Sequence, residues 1–184
     1  MKNIAACALL VWATATFYPK VLHAQGATAQ APLAGLQPAG QGTLRFWGLE
    51  IYRARLWVSP GFAASDYAAL PLALELNYQR AFSAEAIAQR SLAEMPRIGP
   101  FSAAQAARWQ QALQAALPDV QPGDRITGHY QPGRGTTFAL HGRTVGTVAD
   151  AEFARLFFGI WLSPQTSQPQ LRTELLGSSA PVTP

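Results

Sequence analysis

Eighteen residues, Thr43 to Pro60 (TLRFWGLEIYRARLWVSP), constrain the fold more than any other stretch of the chain. β-Formers crowd both sides of one glycine, so the segment reads as two strands, Thr43 to Trp47 and Leu49 to Val58, with a bend or bulge at Gly48. Side chains alternate along a strand, which puts Tyr52, Ala54, Leu56 and Val58 on one face and Ile51, Arg53, Arg55 and Trp57 on the other. Both faces carry apolar groups, so both need at least partial cover. Ser59-Pro60-Gly61 ends the strand.

The remainder of the chain alternates between sheet and helix signals. Pro71 to Arg80 (PLALELNYQR) points Leu72, Leu74, Leu76 and Tyr78 one way and Ala73, Glu75, Asn77 and Gln79 the other, the pattern of a half-buried antiparallel strand. Ser83 then caps a helix that runs to about Met95, and Pro96 closes it. Ser102 and Gln105 have capping-box spacing, and Ala106, Trp109, Leu113 and Leu117 form the buried stripe of a second helix that Pro118 stops. Trp109, in phase with Leu113, reads as a core anchor. Asp124 to Gln131, Thr136 to Leu140 and Arg143 to Val148 follow as three strands joined by a Pro-Gly turn and by His141-Gly142. Asp150 caps a helix holding Phe153, Leu156, Phe157, Ile160 and Trp161, and a last helix spans about Pro169 to Leu176, capped by Gly177. The order predicts an α+β domain, with one mostly antiparallel sheet covered on one face by helices.

The ends differ in character. Met1 to Ala24 holds an early Lys2, an apolar run from Ile4 to Tyr18 and Leu22-His23-Ala24, which fits a secretory signal cleaved after Ala24 and too short to span a membrane. Export to the periplasm follows as the expected localisation. Gln25 to Gly40 reads as a flexible tether, 41–177 as one domain, and Ser178 to Pro184 as an unstructured tail.

Composition narrows the chemistry once that leader is set aside. Cys7 is the single cysteine, so the remaining chain offers no disulfide and no thiol nucleophile. Lys2 and Lys20 are the only lysines, which leaves twelve arginines against ten acids and no amine for Schiff-base or general-base work. The arginines are scattered, which argues against a nucleic-acid partner. His129 and His141 have no ligand-spaced neighbours, so neither a metal nor a cofactor is expected. His141 reads as a turn residue and His129 as an exposed strand position.

Three pieces in this order, GTLRFWGLEIYRARLWVSPG, the hairpin from Asp124 to Gly135, and FFGIWLS at 157–163 with Leu171-Arg172 behind it, resemble the chalcone isomerase-like family over Gly42 to Gly177. The resemblance implies an open-faced β-sandwich, with a small apolar ligand in a cleft between sheet and helices. It also implies one of two trades. Isomerases of the family use a strand arginine, a strand threonine and a helix bearing tyrosine, lysine and asparagine, whereas fatty-acid-binding members hold a carboxylate with arginine and tyrosine. By position, Arg45 corresponds to the arginine and Tyr52 to the threonine. The catalytic helix corresponds to Ser102 to Leu117, which has no Tyr, Lys or Asn.

The leading expectation is therefore a secreted, non-catalytic protein that binds a small apolar carboxylate such as a fatty acid. Arg45 and Tyr52 form the expected ligand pair, and Tyr78 and Arg80 a second one. Arg45 and Tyr52 differ in strand parity, so they converge only if the chain shifts phase near Gly48. The plainer arrangement has Arg45 paired to a surface acid and Tyr52 filling core. An isomerase (intramolecular lyase) with a rearranged site, and a structural or partner-binding module with a filled core, stand as alternatives.

Overall fold

The computed structural model describes residues 35–177 of the chain. The proposed leader, Met1 to Ala24, and the tail, Ser178 to Pro184, lie outside these residues. Six strands, β1 (Gln37–Phe46), β2 (Leu49–Val58), β3 (Leu72–Tyr78), β4 (Arg125–Gln131), β5 (Gly135–Leu140) and β6 (Arg143–Val148), form one sheet in sequential order. Every neighbouring pair is antiparallel. Helices α1 (Ala84–Glu94) and α2 (Ala103–Ala116) are inserted between β3 and β4 without separating those strands. Helices α3 (Ala151–Leu162) and α4 (Pro169–Leu176) complete the layer.

The period-two patterns of the strands become the two faces of this sheet. Ala54, Leu56, Leu74, Leu76, Ile126 and Phe138 are buried in the core under the helices. Arg53, Asn77 and Arg125 make one cross-strand row on the opposite face, and Arg55, Glu75 and Thr127 make the next. Helix α3 is apolar almost all round, with Phe153, Leu156, Phe157, Phe158 and Leu162 buried, as expected of a helix laid across the middle of a core.

Capping works as the sequence predicts. Ser83 Oγ accepts from Ala86 N–H at 3.1 Å, Ser102 and Gln105 complete the capping box, and Asp150 Oδ1 accepts from Phe153 N–H at 2.9 Å. Asp150 has a second task, because its other oxygen accepts from Trp109 Nε1 at 2.7 Å. Trp109 is 2 % exposed and ties α2 to the start of α3, which makes it the core anchor its helical phase suggests.

Two expectations near the N-terminus need correction. β1 starts at Gln37, within the stretch read as tether, and Gly40 and Gly42 belong to it. These glycines allow close approach of α4. A Cβ on Gly40 would lie 2.2 Å from the carbonyl oxygen of Glu174, and one on Gly42 would lie 2.7 Å from Leu171 Cδ1. The second correction concerns Trp47 and Gly48. They are the two central residues of a tight β1–β2 hairpin, with φ of 51° and 78°, while the register shift sits between Leu44 and Arg45. Two successive positive φ values identify a type I′ turn, which usually takes Asn, Asp or Gly at its first central position. A tryptophan there costs about 1–2 kcal/mol relative to those residues.

Candidate functional site

A cavity of about 310 Å³ lies between the sheet and the helices, toward the end of the sheet that carries the β1–β2 hairpin. Its floor comes from alternate residues of the central strands, Leu74, Leu76, Ile126 and Phe138, and its roof from Phe157, Phe158 and Trp161 of α3. Gly128 widens it, since a side chain there would press on the Phe158 ring 3.2 Å away. The mouth is bounded by Ile51 and Tyr52 of β2, by Phe82, and by Ala86, Ile87 and Arg90 of α1, all of which retain solvent exposure.

Four polar side chains interrupt the apolar wall: Tyr52, Tyr78, Arg90 and Ser91. Tyr52 and Tyr78 face each other across β2 and β3 as register partners, with ring centroids 5.9 Å apart in an edge arrangement at 71°. The Tyr52 hydroxyl accepts from Trp161 Nε1 at 2.9 Å, joining sheet to helix layer at the cavity wall. Burial pushes the Tyr52 phenol up to about 12, while the indole donor and the nearby Arg90 guanidinium pull the other way. Burial also raises the Tyr78 phenol strongly. Ser91 is committed locally, donating to the carbonyl of Ile87 at 2.8 Å.

Arg90 supplies positive charge at the mouth. Its guanidinium meets Glu94 at 2.6 Å, one helical turn on, and Arg97 approaches the same carboxylate at 3.6 Å. The Arg90 side chain is 71 % exposed, so its remaining donors face solvent or whatever occupies the opening.

The expected ligand residues divide between this cavity and the surface. Tyr52 and Tyr78 line the cavity, whereas Arg45 and Arg80 do not. A phase shift does occur, pairing Leu44 with Tyr52 and Arg45 with Glu50, but it places Arg45 at the surface. There Arg45 meets Glu50 at 2.6 Å, and Arg53 meets the same acid at 3.2 Å. Arg45 lines a separate polar recess of about 490 Å³ with Arg53, Arg55, Glu75 and Arg125 on the face away from the cavity. The plainer arrangement of Arg45, a surface ion pair, is the one found. Arg80 is exposed just beyond the end of β3.

The helix assignment changes as well. Among the described residues, α2 ends beside the cavity only through Leu117, its C-cap, while α1 and α3 form the helical wall. The subtraction of Tyr, Lys and Asn from Ser102 to Leu117 therefore concerns a helix that stands mostly clear of the opening. The segment that matters reads AEAIAQRSLAE, and Arg90 with Ser91 is its polar contribution. Arg90 could be reached from sequence only through the observation that α1 has a weakly apolar face, with Ala86, Ile87 and Arg90 adjacent on it. His141 sits in its turn and contacts Asp124 at 2.9 Å. His129 is half-buried on the open sheet face, where burial lowers its pKa.

The four polar groups of the cavity can accept or donate hydrogen bonds and neutralise one negative charge. At neutral pH both tyrosines stay protonated, and no carboxylate, imidazole, amine or thiol stands among the described residues lining the cavity. A general base poised near neutrality is thus not supplied by this wall.

Comparison with known proteins places this geometry. A protein of Haemophilus influenzae (strain ATCC 51907 / DSM 11121 / KW20 / Rd), described only as uncharacterized, is 27 % identical over 149 residues, which is 81 % of this chain and 72 % of that one. The crystal structure of the Arabidopsis thaliana fatty-acid binding protein AtFAP1 superposes with a TM-score of 0.60 at 12 % identity, covering 78 % of this chain and 87 % of that one. At that identity the likeness is one of fold. The family model described as chalcone isomerase-like matches residues 27–177, and the chain belongs to the chalcone isomerase-like family.

Proposed function

We propose that this protein binds a small apolar molecule with an anionic end, a fatty acid being the simplest example, and does so without transforming it. The observation that carries the reading is the cavity itself. It is about 310 Å³ of apolar space with its polar groups gathered at one side, Tyr52 and Tyr78 on the wall and Arg90 at the mouth. Ligand sites typically run from about 300 to 1,000 Å³ with a few placed polar groups, so this one suits a short or medium chain. An apolar tail gains by leaving water, and a carboxylate gains from guanidinium and phenol donors. The fold shared with AtFAP1, a fatty-acid binding protein, supports the same reading. An open cavity also weighs against a module whose core is simply filled. Export to the periplasm belongs to this proposal and rests on the leader-like Met1 to Ala24 alone.

Ala86→Trp tests it. Ala86 is exposed on α1 at the mouth, so an indole there blocks entry while leaving the core untouched. A medium-chain fatty acid at a hundred times its dissociation constant stabilises the wild type by about 2.7 kcal/mol. For a domain of this size that is a melting-temperature rise of about 5–11 °C. Ala86→Trp should melt as the wild type does without ligand and lose that rise. An equal rise in both proteins, or none in the wild type, would remove the cavity as the binding site.

A further inference from the structure

The β1–β2 hairpin tip presents a combination that the cavity does not explain. Phe46, Trp47 and Leu49 are 62 %, 89 % and 50 % exposed, and they are three of the four large hydrophobic side chains exposed among the described residues. The rings of Phe46 and Trp47 stack on each other with centroids 5.9 Å apart, so the tip offers one continuous apolar knob. Trp47 holds the left-handed conformation at φ 51°, where asparagine or glycine would be easier. Among the described residues, the most exposed large hydrophobic side chain thus sits at a position that penalises it. Such strain gives the fold nothing, and it points to a surface that needs the indole.

Two further features identify that surface. Arg45, Arg53, Arg80, Arg125 and Arg143 lie at the same end of the sheet as the tip, beside Glu50 and Asp124, so arginines outnumber these acids there. The cavity mouth opens beside it, at Ile51 and Tyr52, the residues that follow the hairpin in β2. Aromatic side chains with arginines set behind them match the layering of a bilayer surface, where indole rings settle at the headgroup level and cations meet anionic lipid.

We propose that the β1–β2 hairpin tip, Phe46-Trp47-Gly48-Leu49, is a lipid-surface anchor that seats this end of the sheet on an anionic bilayer. Among the described residues no helix is long and apolar enough to cross a membrane. Docking in this way turns the cavity mouth toward the lipid phase, where apolar acids reside. The anchor goes beyond the binding reading and does not depend on it, because the tip residues do not line the cavity.

The test uses protein purified from its own cells, with large vesicles of phosphatidylethanolamine and phosphatidylglycerol, or of phosphatidylcholine alone. Wild type should partition more than about tenfold better onto the anionic vesicles, since each arginine near such a surface contributes about 1 kcal/mol and about 1.4 kcal/mol is a tenfold gain. Bromine-labelled acyl chains should quench part of its tryptophan emission. Trp47→Asn should abolish that part of the quenching and weaken partitioning about tenfold, while melting at the same temperature as the wild type or higher, because asparagine suits the turn. Leu49→Ser should weaken partitioning in the same direction. Both variants should keep the fatty-acid-induced melting shift, and Ala86→Trp should keep vesicle binding, so the anchor and the cavity fail separately. Equal partitioning and quenching of wild type and Trp47→Asn would overturn the proposal. So would a wild type that binds neither vesicle but self-associates through a contact that Trp47→Asn removes.

Discussion

Arg90→Met asks whether the cation at the cavity mouth holds the ligand's charged end. Methionine keeps most of the aliphatic stem that packs beside Ile87 and removes the guanidinium. The cost to the fold falls on Glu94, whose side chain is only 11 % exposed and which keeps Arg97 at 3.6 Å. Leaving a buried carboxylate with one weaker partner costs about 1–3 kcal/mol, equivalent to about 2–12 °C in melting temperature. The effect on binding is separate from this and is read as affinity when a carboxylate docks there. A hydrogen bond to a charged group contributes about 1.5–3 kcal/mol, which corresponds to a loss of about 10- to 150-fold in affinity. Glu94 already holds one edge of Arg90, so the lower half of that range is expected. Calorimetric titration with a fatty acid and with the matching fatty alcohol separates charge from tail. Arg90→Met should weaken the acid about 10- to 30-fold and leave the alcohol within about twofold of wild type. An acid affinity unchanged in Arg90→Met, or an alcohol weakened as much as the acid, would refute the assignment of Arg90 to the headgroup.

Three other perturbations follow from the packing. Gly40→Ala should destabilise by about 1–3 kcal/mol in denaturant titration despite the better strand propensity of alanine, because the added Cβ meets the main chain of α4 and nothing flexible can give way. Trp109→Phe leaves an unfilled volume and removes the indole donor from Asp150, and should cost about 2–4 kcal/mol by the same measurement. Stability should fall at alkaline pH: Tyr52 ionises at an ordinary 10 in the unfolded chain but only near 12 in the fold, so the unfolded state loses its proton first. The contribution is complete below pH 10 and is lost between pH 10 and 12, at about 1.4 kcal/mol per pH unit. Tyr78, whose phenol burial also raises, adds a loss of the same sign, so Tyr52→Phe should make that part of the profile shallower without levelling it, and an unchanged slope would mean the Tyr52 phenol is not buried in the folded protein.

Much of the architecture is legible in the sequence because local and long-range signals agree. Leu72 to Tyr78 alternates and is a strand with its leucines inward; Ser83, Ser102 and Asp150 cap the helices they precede. The misread elements are those where the decisive neighbour is distant in sequence. Gly40 looks like tether until α4, more than a hundred residues later, is seen to press on it. The site is split in the same way. Tyr52 and Tyr78 are accessible to parity arguments, since both lie on the inward face of their strands and their register brings them opposite each other. Arg45 fails because one shifted residue pair between Leu44 and Arg45 turns it toward Glu50. Arg90 is hidden for another reason. An arginine at helical spacing with Ala86 and Ile87 carries no ligand signal of its own, and only the lining that α1 shares with β2 and β3 makes it the rim of a cavity.

Native mass spectrometry of the protein released from its own host, followed by extraction of whatever it carries, addresses the central claim most directly. The binding account predicts a population heavier by one small apolar acid, recovered on extraction from wild type and missing from Ala86→Trp. Wild-type protein that flies only at its bare mass, or an acid carried equally by the blocked variant, would contradict it.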